Sequence, residues 1–287
     1  MKKTLLLFAT VATLGLGACN TNSNQNTTAT DQDTATADQD STAGQENAAD
    51  NTSMEKNGLK VYPLTGSPDF PNAKLQLTEP AANGKVAAGD VKFNYTLTDY
   101  QLTAQTEGPA HEDHANSKEG QHIHNIVDNE PYTAHYETSF TKPIKEGSHV
   151  ILSFLSRSYH ESLKHKTAYD LRVVNVGNST TGPGANFDTK GQHLFYSRPK
   201  GEYVGNDTKK VMLDFYLVNT DLSNNGNKVR ATINGTDFML DKWQPYTIEG
   251  LKMGENTIKL ELLDNNGQVV PGPFNTVERK ITLKETK

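Results

Sequence analysis

Residues 91–97 read Val-Lys-Phe-Asn-Tyr-Thr-Leu, and residues 211–218 read Val-Met-Leu-Asp-Phe-Tyr-Leu-Val. The first stretch alternates apolar and polar side chains, which is the period of a β-strand with one buried face. Other short β-rich runs follow from Lys74 onward, separated by Gly, Pro, Asn and Asp. About seven short strands per hundred residues, with frequent turn signals, are typical of an immunoglobulin-like β-sandwich. The sequence therefore predicts an all-β protein.

The strand pattern occurs twice along the chain, and the two copies align segment by segment. The matched pairs are Pro80 with Pro199, 91–102 with 211–222, 120–128 with 226–234, 144–149 with 251–256, and 171–176 with 278–283. Repetition at this scale indicates duplication of one folded unit. We therefore predict two tandem immunoglobulin-like sandwiches, at 74–177 and 193–285, joined by a Gly- and Asn-rich linker at 178–192.

The N-terminus carries features of an export signal. Lys2 and Lys3 precede the short apolar stretch 5–16, and small residues lead up to Cys19, the only cysteine in the chain. This order resembles a bacterial lipoprotein signal with its lipobox. The resemblance implies that residues 1–18 are removed, and that Cys19 carries the acyl chains of a membrane anchor. Because Asn20 follows the cysteine, the expected address is the outer membrane, on its periplasmic or its exterior face.

The segment after Cys19 differs in composition from the rest of the chain. Residues 20–53 contain no aromatic, branched aliphatic or basic residue, and they include six acids. Such a segment cannot bury enough apolar surface to offset the loss of chain entropy, so we predict a disordered acidic tether over 19–58. The whole chain has 28 Lys plus Arg against 34 Asp plus Glu. This balance argues against nucleic acid as a partner.

The two copies differ most in their histidines and in one insertion. Copy one has 17 residues, 103–119, where copy two has only Ser223-Asn224-Asn225. All nine histidines lie between positions 111 and 193, so copy two has only the one at its entry. Alternation places His122 and His124 on one strand face, and their counterparts Lys228 and Arg230 suggest that this face is exposed to solvent.

In an immunoglobulin-like topology the insertion, the start of the His122 strand and the loop 157–165 converge on one rim. Imidazole nitrogens in such a cluster suit Zn²⁺ or Cu²⁺. We therefore expect a rim metal site at the first sandwich, formed by His122, His124 and His160 and closed by His111 or His114. Glu112, Asp113 or Glu161 would supply carboxylates around it.

An alternative use of the same rim is recognition of a peptide or an anion. Arg157, Ser158, Tyr159 and His160 offer a guanidinium, a hydroxyl and aromatic rings that suit phosphate or carboxylate contacts. The mature chain also resembles a family of Bacteroidota lipoproteins, some of which are labelled phosphopeptide-binding proteins. The matching stretches are 120–132, 156–164 and 269–275. The resemblance implies a peptide-binding adhesion module.

An enzymatic function is the least favoured interpretation. The sequence has no Gly-x-Ser-x-Gly nucleophile elbow, phosphate-binding loop or His-Glu-x-x-His helix. A metal-dependent hydrolase with Glu161 as its base stays open as a third alternative. The leading expectation is a non-catalytic binding protein of the cell envelope.

Overall fold

A computed structural model describes residues 52–286, which lie within one compact unit. The predicted signal, Cys19 and the predicted tether up to residue 51 lie outside the described residues. The described part of the chain has eighteen strands, one helical turn at Pro109–Asp113 (α1) and one 3₁₀ turn at Gly205–Thr208. No helix among these residues has the length and apolar character required to cross a bilayer.

The first sandwich contains eight strands in two sheets. The three-stranded sheet has the order β3-β5-β8, and the five-stranded sheet has the order β4-β10-β9-β6-β7. Their bounds are Lys74–Glu79 (β3), Lys85–Val86 (β4), Gly89–Thr98 (β5), His122–Val127 (β6), Thr133–His135 (β7), Ser139–Ile144 (β8), Gly147–Ser156 (β9) and Tyr169–Val176 (β10). Phe93, Ile123 and Leu155 meet in the core between the sheets, and each is 0% exposed.

The second sandwich repeats this topology strand for strand. Its sheets have the orders β11-β13-β16 and β12-β18-β17-β14-β15. Their bounds are His193–Arg198 (β11), Gly201–Val204 (β12), Val211–Val218 (β13), Lys228–Ile233 (β14), Thr236–Leu240 (β15), Tyr246–Glu249 (β16), Gly254–Leu263 (β17) and Thr276–Lys284 (β18). The predicted pair of tandem immunoglobulin-like sandwiches is therefore confirmed.

An N-terminal hairpin extends the second sandwich. Strands Met54–Lys56 (β1) and Leu59–Pro63 (β2) pair with each other, and β2 continues the sheet beside β16. Leu59 and Val61 alternate with partly exposed neighbours and insert into the core of the second sandwich. The prediction of a tether reaching residue 58 was therefore wrong over 54–58. The prediction overlooked that residues 54–58 form one hairpin with the strand that follows, and that this hairpin has an apolar side to bury.

The two sandwiches are packed against each other through sheet faces. The outer face of the first sandwich's five-stranded sheet meets the outer face of β11 and β13. Leu152 and Phe154 on one side contact Phe195 and Tyr216 on the other, and the Phe154 and Tyr216 rings stack at 4.7 Å. As a result, β6, β9, β11 and β13 are buried on both faces for most of their length.

Candidate functional site: a histidine trio

Three of the predicted ligands come together at the edge of the contact between the sandwiches. His122 and His124 alternate along β6 and point to the same side of the sheet, and His160 lies in the loop after β9. The Nε2 atoms of His122 and His124 are 2.8 Å apart, and His160 Nδ1 lies 3.0 Å from His122 Nε2. All three ligand atoms lie within 4.8 Å of one another. We call these residues the histidine trio.

The local backbone holds His122 at a fixed depth. Gly120 precedes β6 with a φ of 86°, a conformation that favours glycine, and a Cβ there would clash with the Thr103 carbonyl. Its own carbonyl lies 2.7 Å from His122 Nδ1. Since a carbonyl can only accept, Nδ1 carries the proton and Nε2 of His122 presents a lone pair to the other two rings.

The loop that carries His160 is fixed by its neighbours. His160 has a φ of 69°, and its N–H donates to the Arg157 carbonyl at 2.9 Å. The Arg157 side chain donates to Glu161 Oε1 at 2.9 Å and to the Pro68 carbonyl at 2.6 Å. These bonds place the His160 ring against His122 without help from a ligand.

Hydrogen bonding leaves the trio incompletely satisfied. The single lone pair of His122 Nε2 faces ring nitrogens of both other histidines, although it can accept only one well-aligned hydrogen bond. Nδ1 of His124 is buried and has no hydrogen-bond partner among the described residues. Buried polar groups are normally paired, so the crowded lone pair of His122 Nε2 and the unpaired Nδ1 of His124 depart from the usual pattern.

Burial keeps the imidazoles neutral. The pKa of His122 is lowered to about 4, chiefly by burial and also by the charges of Arg198 and Lys200, whereas the hydrogen bond to the Gly120 carbonyl acts in the opposite direction. The pKa values of His124 and His160 are also lowered well below the usual range, again chiefly by burial. All three imidazoles are therefore uncharged at pH 7, and uncharged imidazole is the state that binds a metal ion.

Aromatic rings and cations surround the trio. Tyr132 stacks on His124 with 3.5 Å between ring centroids, and Phe154 meets His124 edge-on at 5.1 Å. The Lys200 ammonium lies 3.9 Å from the centre of the Tyr132 ring, and the Arg198 guanidinium lies 5.6 Å from it. Within the described residues, no carboxylate forms a hydrogen bond or ion pair with the trio.

The prediction that His122 and His124 face solvent was wrong. Both are 0% exposed, whereas their counterparts Lys228 and Arg230 are partly exposed. The chosen face of β6 was the correct one, since Ile123 points into the core of the first sandwich. The error arose because the second sandwich covers that face in copy one only.

His111 and His114 do not join the trio. His114 lies at the end of α1, where its Nε2 is 3.0 Å from Thr247 Oγ1 of the second sandwich. His111 lies within α1, outside the cluster of converging ligand atoms. The insertion therefore packs against the second sandwich instead of closing the site.

The expected acidic neighbours also lie elsewhere. Asp113 pairs with Lys210 at 2.7 Å, and the carboxylate of Glu161 bonds Arg157 and Ser67. Glu112 is exposed on α1. Glu161 is consequently not placed to act as a base at the trio, and the hydrolase alternative loses the residue on which it depended.

The loop residues assigned to anion or peptide recognition are committed to internal contacts. Arg157 is 5% exposed and pairs with Glu161, while Ser158 is buried and its Oγ accepts from the Thr106 N–H. Tyr159 is 1% exposed and packs with Ala110 and Met212. A guanidinium that is already bonded on several sides has little capacity left for an incoming phosphate.

Sequence reasoning missed Tyr132, Arg198 and Lys200. The copy comparison held a signal for the two cations, because Arg198-Pro199-Lys200 stands where copy one has Glu79-Pro80-Ala81. Tyr132 belongs to the five-residue loop between β6 and β7. The corresponding connection in copy two, between β14 and β15, is a turn of only two residues. Nothing in one sequence shows that this loop and the Arg-Pro-Lys turn meet.

Comparisons with known proteins give remote likenesses. No family model and no curated protein matches the chain. Fibronectin(III)-like modules of Clostridium thermocellum CbhA align over 74% of this chain and 94% of theirs, at 10% identity and a TM-score of 0.26. Bacteroides ovatus SGBP-B aligns over 73% of this chain and 47% of its own, at 9% identity and a TM-score of 0.22. The fibronectin-III array of RIM-binding protein aligns over 76% of this chain and 63% of its own, at 11% identity and a TM-score of 0.24. The observed sheet order, rather than these scores, establishes the sandwich fold.

Proposed function

We propose that this protein is a non-catalytic binding module that holds one transition-metal ion at the histidine trio. The observation that carries the proposal is the convergence of three neutral imidazoles, in which His124 Nε2 and His160 Nδ1 lie 2.8 and 3.0 Å from His122 Nε2. Imidazole is a preferred ligand of Zn²⁺ and Cu²⁺. The hydrogen bond from His122 Nδ1 to the Gly120 carbonyl is the kind of outer contact that orients metal-binding histidines.

A metal ion would relieve the crowding at the His122 lone pair. With metal–nitrogen bonds of about 2.0–2.1 Å in a tetrahedron, ligand nitrogens lie about 3.4 Å apart. His124 and His160 would each move outward from His122 by about half an ångström and toward one another, which rotation of the rings allows. Each nitrogen would then direct its own lone pair at the ion instead of competing for one.

Calorimetric titration of the chain from Asn20 to Lys287 with Zn²⁺ and Cu²⁺ tests the proposal. This chain keeps every described strand, and we expect one site per molecule. His122→Ala/His124→Ala should abolish binding, and His160→Gln should weaken it about tenfold or more. His111→Ala is the matched control, because this histidine lies in the same sandwich but outside the trio.

Circular dichroism and thermal unfolding of each variant would separate loss of a ligand from loss of folding. His160→Gln is the more conservative change, since it keeps a side chain that can form hydrogen bonds. Absence of binding by the unmodified chain, or equal binding by the trio variants with their fold intact, would show that the trio is not a metal site.

For the location, we propose that the chain is held at the outer membrane by acyl chains on Cys19. The support is the order of basic, apolar and small residues before the only cysteine. Metabolic labelling with a fatty-acid analogue should mark the unmodified chain and leave Cys19→Ser unlabelled. Equal labelling of the two would contradict the anchor and leave the metal proposal untouched.

A further inference from the structure

A divalent ion at the trio would carry two positive charges, and no carboxylate among the described residues contacts the trio to balance them. Three neutral imidazoles contribute no negative charge, and the cations of Arg198 and Lys200 lie on the far side of Tyr132 or beside it. Ions buried without a counter-charge are costly, so a stable site here calls for an anionic ligand. The question is which group of the chain supplies it.

Tyr132 is an ionisable side chain that touches the trio. Its hydroxyl oxygen lies 3.3 Å from His160 Nδ1, close to the spacing of about 3.4 Å between two ligands of one tetrahedral ion. Its ring stacks on His124, and the side chain as a whole is 2% exposed. A ring held between an imidazole and an ammonium needs little further ordering to act as a ligand.

The second sandwich holds Tyr132 in place. Lys200 Nζ donates to the Tyr132 carbonyl at 2.8 Å, and because His124 covers one face of the ring, the ammonium lies over the other. Nε of Arg198 is buried and has no hydrogen-bond partner among the described residues, and its Nη1 donates to the Tyr203 hydroxyl. The Arg198 guanidinium and the Lys200 ammonium thus both lie against the Tyr132 ring, at 5.6 and 3.9 Å from its centre.

We propose that the phenolate oxygen of Tyr132 is the fourth ligand of the metal ion, which makes the site an N₃O centre. This inference rests on the proposed metal site. On binding, the Tyr132 O–H bond breaks, its electron pair forms the metal–oxygen bond, and the proton leaves to solvent. No electron is transferred, and the net charge added to the site is one instead of two.

A closed N₃O centre has a consequence for function. Structural metal sites have four protein ligands, whereas catalytic sites leave one position for water or substrate. With Tyr132 in the fourth position the ion is held and not used for hydrolysis. Because Lys200 and Arg198 fix Tyr132 from the second sandwich, the bound ion also strengthens the contact between the two sandwiches.

Visible absorption during a Cu²⁺ titration of the chain from Asn20 to Lys287 tests this assignment. The expected result is a phenolate-to-copper charge-transfer band that saturates at one equivalent. Tyr132→Phe should lose the band and weaken Cu²⁺ binding about tenfold or more. Tyr136→Phe is the matched control: its ring lies 5.2 Å from the His122 ring, but its hydroxyl bonds Ser117 at 2.7 Å.

The outcomes separate this inference from the proposed function. If the chain binds Cu²⁺ through the trio without the band, and Tyr132→Phe binds equally well, the fourth ligand is not Tyr132 and only the present inference fails. If the unmodified chain binds neither Zn²⁺ nor Cu²⁺, both fail; if it binds Zn²⁺ alone, equal Zn²⁺ binding by Tyr132→Phe makes only the present inference fail. A band that survives in Tyr132→Phe and disappears in Tyr136→Phe would show that Tyr136 is the oxygen ligand, and it would overturn the inference.

Discussion

Strands β6 and β14 occupy the same place in the two copies of one fold, yet their outward faces meet different surroundings. In copy two, Arg230 on β14 pairs with Glu261 on β17 at 2.7 Å, and its side chain remains 31% exposed. In copy one, His122 and His124 on β6 and Phe154 on β9 have no exposure, and Phe154 stacks on Tyr216 of the second sandwich. A neutral, aromatic face therefore replaces a charged one where the sheet of the other sandwich covers it.

The largest effect should come from exchanging the two faces. His122→Lys/His124→Arg would bury two charges beside Arg198 and Lys200, and uncompensated buried charges cost about 3 kcal/mol each or more. The reverse exchange, Lys228→His/Arg230→His, removes one partly exposed ion pair and should cost no more than about 1 kcal/mol. Urea unfolding measures both. Similar losses in the two double variants would mean that coverage by the second sandwich does not decide which residues the face tolerates.

A smaller effect is expected at one matched pair of positions. Phe154 contacts Tyr216 and His124 across the covered face, and Phe154→Ala should reduce the free energy of unfolding by about 3–5 kcal/mol. Its counterpart is Glu261, for which Glu261→Ala should cost about 0.2–1 kcal/mol because Arg230 and Lys259 can be hydrated. Thermal unfolding gives the ranking, and a reversed order would contradict the assigned interface.

The smallest effect is expected in the dependence of stability on pH. Burial lowers the pKa of His114 and of His122 to about 4. The unfolded chain therefore takes up protons below pH 6.5 that the folded chain does not, so stability is full above pH 6.5 and falls as the pH drops toward 4. His114→Gln should reduce this loss by about 1 kcal/mol per pH unit. Urea midpoints at several pH values measure the slope, and an unchanged slope would count against neutral burial of His114.

The sequence was sufficient for the architecture because duplication and alternation are local signals. The matched strands β6 and β14 have the predicted register, and so do β10 and β18. It was also sufficient to bring His160 to β6, since an immunoglobulin-like topology places their loops at one rim. These conclusions needed only the order of strands within one sandwich.

The burial of the trio depended on packing between the sandwiches, which one sequence does not encode as a periodic pattern. Asp214 and Tyr216 on β13 look like ordinary strand residues, yet Asp214 is 0% exposed, pairs with Lys164, and accepts from the Ser162 N–H of copy one. For the same reason the Tyr132–Lys200 contact could not be predicted. The surroundings of the histidine trio include residues from both copies, and a contact between copies leaves no trace in the alignment of one copy with the other.

An anomalous-difference map from crystals of the chain grown with Zn²⁺ tests the metal site at atomic detail. We expect a single strong peak about 2.0–2.1 Å from His122 Nε2, His124 Nε2 and His160 Nδ1, with Tyr132 Oη as the fourth neighbour. Crystals of His122→Ala/His124→Ala should show no peak there. A map from the unmodified chain with density only at partly exposed histidines such as His111, and none within the trio, would show that the trio does not bind the metal.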